Sequence, residues 1–325
     1  MKKALFLLLI VTSCQQRENT FSEEDAAKIN NVSVIIDDLL WDGEIGDSIR
    51  NKFASPVIGL PQEEPLFTLN QYPVKLLEGY MSHSRNIIVI KKEDENRFEV
   101  KENQFTMPQN VIYISGRTIG DIIQLIEKNS SKMIERMRNG EVSYMQTMFG
   151  KSLLDHQLIA SKFKVSLLVP SEYRYALTNR NFVWLRKEIT SGNTSLVLYE
   201  VPANTILKKN DILNNIIRMR DSVAGIYIRG AVDGTAMVTE NSYSPYFMAT
   251  TINDKPAYEV RGNWELDRNM SGPFVTYCVR DDINNRFLIM DGFCYLPSKQ
   301  KRDVMMELEA IAKSVHFLDI KNATQ

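Results

Sequence analysis

The stretch "PFVTYCVRDDINNRFLIMDGFCYLP", residues 273–297, constrains the fold of this chain more than any other. Two apolar runs rich in β-branched and aromatic residues flank the polar segment Asp281–Asn285, which is the pattern of two strands joined by a turn. Past Pro297 the period changes, and Val304, Leu308, Ile311 and Val315 fall on one stripe of a helix. Hairpin and helix each carry an apolar face that must be covered, so this end of the chain has to fold as packed layers.

The hairpin register also bears on the cysteines. It sets Cys278 opposite a residue near 288. Cys294 then lies about six residues further along its strand, roughly 20 Å away at 3.3 Å per residue. Bridged cysteines need Cα atoms within about 7 Å. The pattern favours two buried free thiols; a disulfide is the alternative, because an exported chain meets an oxidising compartment.

Upstream, "NVSVIIDD" reads as a strand, followed by a short helix carrying Ile45, Ile49 and Phe53 with Asp42 as its cap. "SPVIGLPQEEPLFTLNQYP" holds four prolines and reads as an extended loop with short strand pieces. "NIIVIKK" and "RFEVKENQF" predict a hairpin around Glu93–Asn96, and "NVIYISG" a further strand. Thr118 and Asp121 form a capping-box start for a helix through Ile122, Ile126, Met133 and Met137. Asn139-Gly140 is its expected stop, with more helix over 141–162. Strands are expected at 163–169, 181–189 and 195–201, and a helix capped by Asp211 with Ile212, Ile216, Ile217 and Val223 inward. Extended segments follow at 226–239, 246–252 and 257–266. Intermixed helices and adjacent strands define the α+β class, with mixed or antiparallel sheets and packed helices. Two lobes are expected, 31–160 and 161–320; one continuous domain is the alternative.

The amino terminus reads as an address. Lys2 and Lys3 precede an apolar run, Ala4–Val11. That run is far shorter than the ~20 residues a bilayer core requires, and has the length of a signal-peptide core. Val11-Thr12-Ser13-Cys14 resembles a bacterial lipobox, in which the cysteine thiol takes the lipid. This implies a signal peptide over 1–13, lipid attachment at Cys14 and a flexible polar tether over 14–30. An ordinary secretory signal with an incidental cysteine, or a buried N-terminal strand, is the alternative.

The 39 basic and 40 acidic residues nearly balance, and loss of Lys2 and Lys3 would leave a formal charge of −3. Such a balance argues against a nucleic acid partner, which would favour a basic face. His83, His156 and His316 stand far apart without metal-ligand spacing. There is no G-x-G-x-x-G, P-loop lysine or G-x-S-x-G, so no catalytic residue, metal or cofactor is expected. Asp37 and Asp38, read as adjacent on a strand end, would point to opposite faces, so they could act as an acid–base pair only if the strand has already ended; strand-end and helix-cap acids are the expected reading. The candidate ligand or partner surface is therefore Trp41 and Asp42 beside the first strand, together with Glu63 and Glu64, held between Pro61 and Pro65 in a stiff loop. Trp184, Trp264, Tyr243, Tyr246 and Tyr258 are either core residues or pocket lining.

Taken in order, "WDGEIGDSIRNKF", "GLPQEEPLF", "MPQNVIYIS", "NFVWLRKE", "MSGPFVTYCVRD" and "LIMDGFCYLPSKQKRDVMMELEAI" resemble the predicted lipoproteins of Bacteroidota that are known as a domain of unknown function. The resemblance implies envelope localisation and an α+β fold, and transfers no catalytic or binding residues. The C-terminal part, opening with "VSLLVP" and closing with "KSVHF", is also similar to photosystem extrinsic-subunit-like α/β/α sandwiches. The expected function is that of a lipid-anchored cell-envelope protein on the periplasmic face of the outer membrane. It would bind an envelope partner or support an assembly without catalysis. A carrier of a small apolar ligand and a carboxylate-dependent hydrolase are the alternatives.

Overall fold

The computed structural model describes residues 28–76, 83–266 and 270–318. The signal peptide, Cys14 and all but the last residues of the tether lie outside these. The first lobe is built on a five-stranded sheet of order β2-β1-β3-β5-β4. Its strands are β1 (Asn31–Ile35), β2 (Thr68–Tyr72), β3 (Asn86–Lys92), β4 (Arg97–Glu102) and β5 (Asn110–Gly116). β1, β2, β3 and β5 run parallel, and β4 is antiparallel to β5. The hairpin expected between 86–92 and 97–105 is therefore corrected, because β5 lies between the two strands. β3 buries its first five residues and needs partners on both edges, whereas β4 carries Arg97, Glu99, Lys101 and Glu102 and suits an edge.

Helix α1 (Asp38–Trp41) ends at Asp42, whose N–H donates to the Asp38 carbonyl at 2.8 Å. Helix α2 (Glu44–Phe53) then starts from Gly43 and not from an Asp42 cap. Its Ile45, Ile49 and Phe53 pack on the sheet as the spacing requires. Helix α3 (Ile119–Phe149) opens with the expected capping box: Asp121 N–H donates to Thr118 Oγ1, and Thr118 N–H to Asp121 Oδ2, both at 3.1 Å. It does not stop at Asn139-Gly140 but runs for 31 residues. Gly140 faces Asn110, whose Nδ2 would lie 3.1 Å from an added Cβ. Met137 before it is buried in the first lobe and Val142 after it in the second, so helix geometry is held by packing on both sides of the glycine. One helix thus serves two cores.

After α4 (Gln157–Phe163) the chain forms an antiparallel sheet, order β10-β12-β13-β14-β9-β8-β7, with β11 also paired to β12. Its strands are β7 (Arg174–Asn179), β8 (Phe182–Ile189), β9 (Gly192–Pro202), β10 (Val238–Thr239), β11 (Tyr246–Ile252), β12 (Lys255–Leu266), β13 (Met270–Asp281) and β14 (Arg286–Tyr295). Two expected extended segments shrink: 163–169 keeps β6 (Val165–Ser166), and 226–239 keeps β10, because helix α6 (Ile212–Tyr227) runs on to 227. β7, polar and exposed, has no counterpart among the expected strands.

Helix α7 (Arg302–Lys313), α4 and the end of α3 cover one face of this sheet; α5 (Ala203–Leu207) and α6 cover the other. The second lobe is an α/β/α sandwich within an α+β protein. In its central hairpin Cys278 pairs with Ile289 and Cys294 with Thr194 on β9. Both are free, buried thiols. Burial pushes both up, Cys294 to about 12, so neither is a thiolate at neutral pH.

Candidate functional site

The segment 54–67 leaves α2 and crosses to the second lobe. Gly59, with a φ of +86°, packs against β12, and an added Cβ would stand 2.8 Å from Arg261 Cβ, so only glycine permits this approach. Further along, Glu64 turns inward. It is 6% exposed, and its carboxylate accepts the backbone N–H groups of Lys301 (2.7 and 3.0 Å) and Arg302 (2.9 Å) at the start of α7. The acid expected to face a partner is instead an anionic cap supplied from the other lobe, placed where the helix N-terminus attracts negative charge. Glu63 is exposed. Trp41 is half-buried beneath the Arg50 guanidinium, 4.6 Å from its ring, and Asp42 is exposed. None of the four lines the cleft described next.

Between this crossing segment, α3, α7 and the β11–β12 pair lies a cavity of about 560 Å³. Tyr246, Met248 and Thr250 alternate along β11 on its floor, with Glu259 and Arg261 beside them on β12. Its charged centre is Glu309 of α7. Glu309 Oε2 accepts Arg138 Nη2 from α3 and Arg261 Nη2 from β12, both at 2.7 Å, and Oε1 accepts Lys313 Nζ at 2.6 Å. Arg261 also donates through Nε to Glu259 and through Nη2 to the Tyr277 hydroxyl at 3.3 Å.

Burial alone would raise the Glu309 carboxyl, but Arg261, Arg138 and Lys313 outweigh it and hold the group well below the usual carboxylate range. Burial and the nearby Glu309 charge push the Tyr277 phenol well up, so it stays protonated. At neutral pH Glu309 is thus a fixed anion with both oxygens engaged, and Arg261 a fixed cation. This arrangement ties the lobes together and shapes a surface; it supplies neither a proton donor nor a base.

A second cavity of about 530 Å³ adjoins the first and shares Ile58, Tyr246 and Arg261 with it. Together they form a groove beside the crossing segment. Its rim exposes Ile58 (54%) and Tyr243 (78%). Tyr243 and Tyr246, two of the aromatics expected in core or pocket, thus line the groove, whereas Trp264 is buried in the core. Arg138, Arg261 and Glu309 gave no sequence signal. Each is one charge in an ordinary helix or strand, and they meet across separations of 48 and 171 residues. Among the described residues no group of His, Cys, Asp or Glu is arranged to hold a metal ion, and no helix is long and apolar enough to cross a membrane.

Two family models match the chain, each described as a domain of unknown function: DUF8532 over residues 26–150 and DUF4837 over 152–314. No curated protein matches. The solution structure of cyanobacterial PsbP (CyanoP) from Synechocystis sp. PCC 6803 is similar at 12% identity and a TM-score of 0.34, covering 47% of this chain and 86% of that one. The Ran-binding protein Mog1p of Saccharomyces cerevisiae is similar at 9% identity and a TM-score of 0.33, covering 49% of this chain and 92% of that one. Human StAR-related lipid transfer protein 5 follows at 6% identity and a TM-score of 0.24, covering 53% of this chain and 93% of that one. Likeness at these scores carries no argument about function. The family assignment is firmer: the model matching residues 152–314 spans half of the chain, and the protein belongs to the family defined by the domain of unknown function DUF4837.

Proposed function

We propose that this protein is a lipid-anchored component of the cell envelope, held at Cys14 on the periplasmic face of the outer membrane, and that it binds an extended segment of an envelope protein without catalysis. The observation that carries the binding reading is the outer edge of β11. Among the described residues β11 pairs with β12 alone, and its sequence from Tyr246 to Ile252 contains no charge and no proline. Of the other edges, β4 is charged, β7 is broken by a bulge between Tyr175 and Leu177, and β10 has two residues; β2 is also uncharged, but no residue of it lines the groove. An open, uncharged edge beside a groove is suited to strand addition. Main-chain hydrogen bonds supply affinity there, and Tyr246, Met248 and Thr250 meet alternate side chains of the guest.

The alternatives rank lower on the same geometry. Glu309 is held ionised with its oxygens engaged, which does not suit hydrolysis. The groove is open and lined by charged as well as apolar groups, which suits a polypeptide better than a small apolar ligand. The anchoring reading rests on Lys2, Lys3, the apolar run and Cys14.

Ala249 is exposed on β11 and points away from the groove face, so Ala249→Lys places a charge on the edge with little effect on packing. Tagged protein drawn from detergent-solubilised envelope should bring down a stoichiometric protein partner, and Ala249→Lys should reduce that recovery about tenfold with an unchanged melting temperature. Recovery of the chain alone, or equal recovery by both forms, would overturn the reading. Independently, Cys14→Ser should move the protein from the membrane to the soluble fraction.

A further inference from the structure

The structure assigns a phosphate-type oxyanion site to a cavity of about 610 Å³ at one end of the second sheet, a site separate from the interlobe groove. Three features of the chain converge there: the turn between β11 and β12, the 281–285 turn of the central hairpin, and β15 (His316–Phe317) paired to β6 just after Lys164. The basic side chains lining it are Lys164, Lys255, Arg286 and His316.

These groups differ in what they already hold. Arg286 is committed: Nε donates to Asp281 Oδ2 at 2.8 Å, Nη2 to the Phe163 carbonyl at 2.6 Å, and Nη1 to Glu200. That pairing also engages Asp281, and Asp282 in the same turn takes Arg280 Nε at 2.7 Å. His316 Nδ1 lies 2.9 Å from the Ser314 carbonyl and donates to it in the Nδ1–H tautomer. By contrast, neither Lys164 nor Lys255 forms an ion pair among the described residues, although Lys255 Nζ sits 4.7 Å from the Phe317 ring centre. The cavity therefore presents two uncompensated ammonium groups.

The backbone at Lys164 is the second, independent observation. Lys164 ends α4 in the left-handed region, φ 59° and ψ 43°, a position where glycine or asparagine is usual. Elsewhere the chain mostly fills such positions with Asn or Asp, as at Asn253, Asp254 and Asn285 around this same cavity. Lys209 is the other lysine in the left-handed region, and of the two it is Lys164 that lines the cavity, carried to its wall by the left-handed turn that ends α4. Two compact point charges suit a phosphate better than the planar carboxylate that arginine forks select. Ile283 (82% exposed) and Leu318 (44% exposed) give the cavity an apolar rim. The oxyanion has two possible sources, free phosphate and the headgroup of a lipid whose chains meet that rim.

The test is a titration of the full chain carrying Cys14→Ser, followed by amide NMR, with inorganic phosphate and with monomeric dihexanoyl phosphatidylglycerol. Shifts are expected at Lys164, Lys255 and His316. Lys164→Gly and Lys255→Ala should each weaken binding about fivefold, and Lys164→Gly should melt no lower than the parent because it relieves the left-handed strain. Tighter binding of the phospholipid would identify a headgroup site, and equal binding a free-anion site. Absence of shifts with both probes, or shifts that survive both substitutions, would overturn the proposal.

Discussion

Replacing Glu309 with alanine should destabilise the protein by about 3 kcal/mol, the lower end of the range for breaking a buried ion pair, measured by urea denaturation. The loss arises because one carboxylate is shared as ion-pair partner by three cations from three elements. Without it Arg261, 13% exposed at its side chain, keeps Glu259 and the Tyr277 hydroxyl, while Arg138 (20%) and Lys313 (28%) regain part of their solvation. That relief is why the lower end applies. The same carboxylate sets an acid limit. Its folded-state value lies well below the ordinary 4.5, so its contribution is fully present above that value. It should be lost as pH falls from about 4.5 through the lower folded value, because the unfolded chain then binds the proton first. Glu309→Gln should be less stable at neutral pH and flatten the acid limb of the stability curve. A Glu309→Ala midpoint within experimental error of the parent would show that the network does not hold the lobes.

Removing the Glu64 carboxylate should cost about 2–3 kcal/mol, because two buried N–H groups at the α7 N-terminus lose a charged acceptor. Glu64→Gln should cost about half as much, since its amide oxygen still accepts. The adjacent Glu63→Ala should be nearly neutral, because that side chain is exposed. Hydrogen exchange should locate the damage: faster exchange in the first turn of α7 with Glu64→Ala, and none with Glu63→Ala. The lobes are also joined there by Arg302 Nη1, which donates to the Pro65 carbonyl at 3.0 Å and Thr68 Oγ1 at 3.1 Å. If Glu64→Ala shifted neither stability nor exchange, the first turn of α7 would not depend on this cap.

The two variants mark a boundary in what could be foreseen from residues alone. Interactions between near neighbours were legible. The Thr118–Asp121 box closes over three residues, the Leu308–Ile311 stripe follows one helix period, and the 281–285 turn places Cys278 against Ile289. In each case local geometry leaves one good arrangement, and propensity and periodicity report it. The α+β class follows from the same elements.

Arrangements that depended on distant partners were not legible. Asn139-Gly140 has the composition of a helix stop, yet packing on two cores carries α3 through it. β3 and β4 are separated by a short polar turn, yet β5 enters between them because β3 must be covered on both edges. Glu63 and Glu64 look alike as residues, and their fates part because an α7 N-terminus folded 237 residues later requires an anion at one of them. The Arg138–Glu309–Arg261 cluster has the same origin. A lone charge in a helix reads as solvated surface until the fold removes the water, and pairing then becomes the least costly way to bury it.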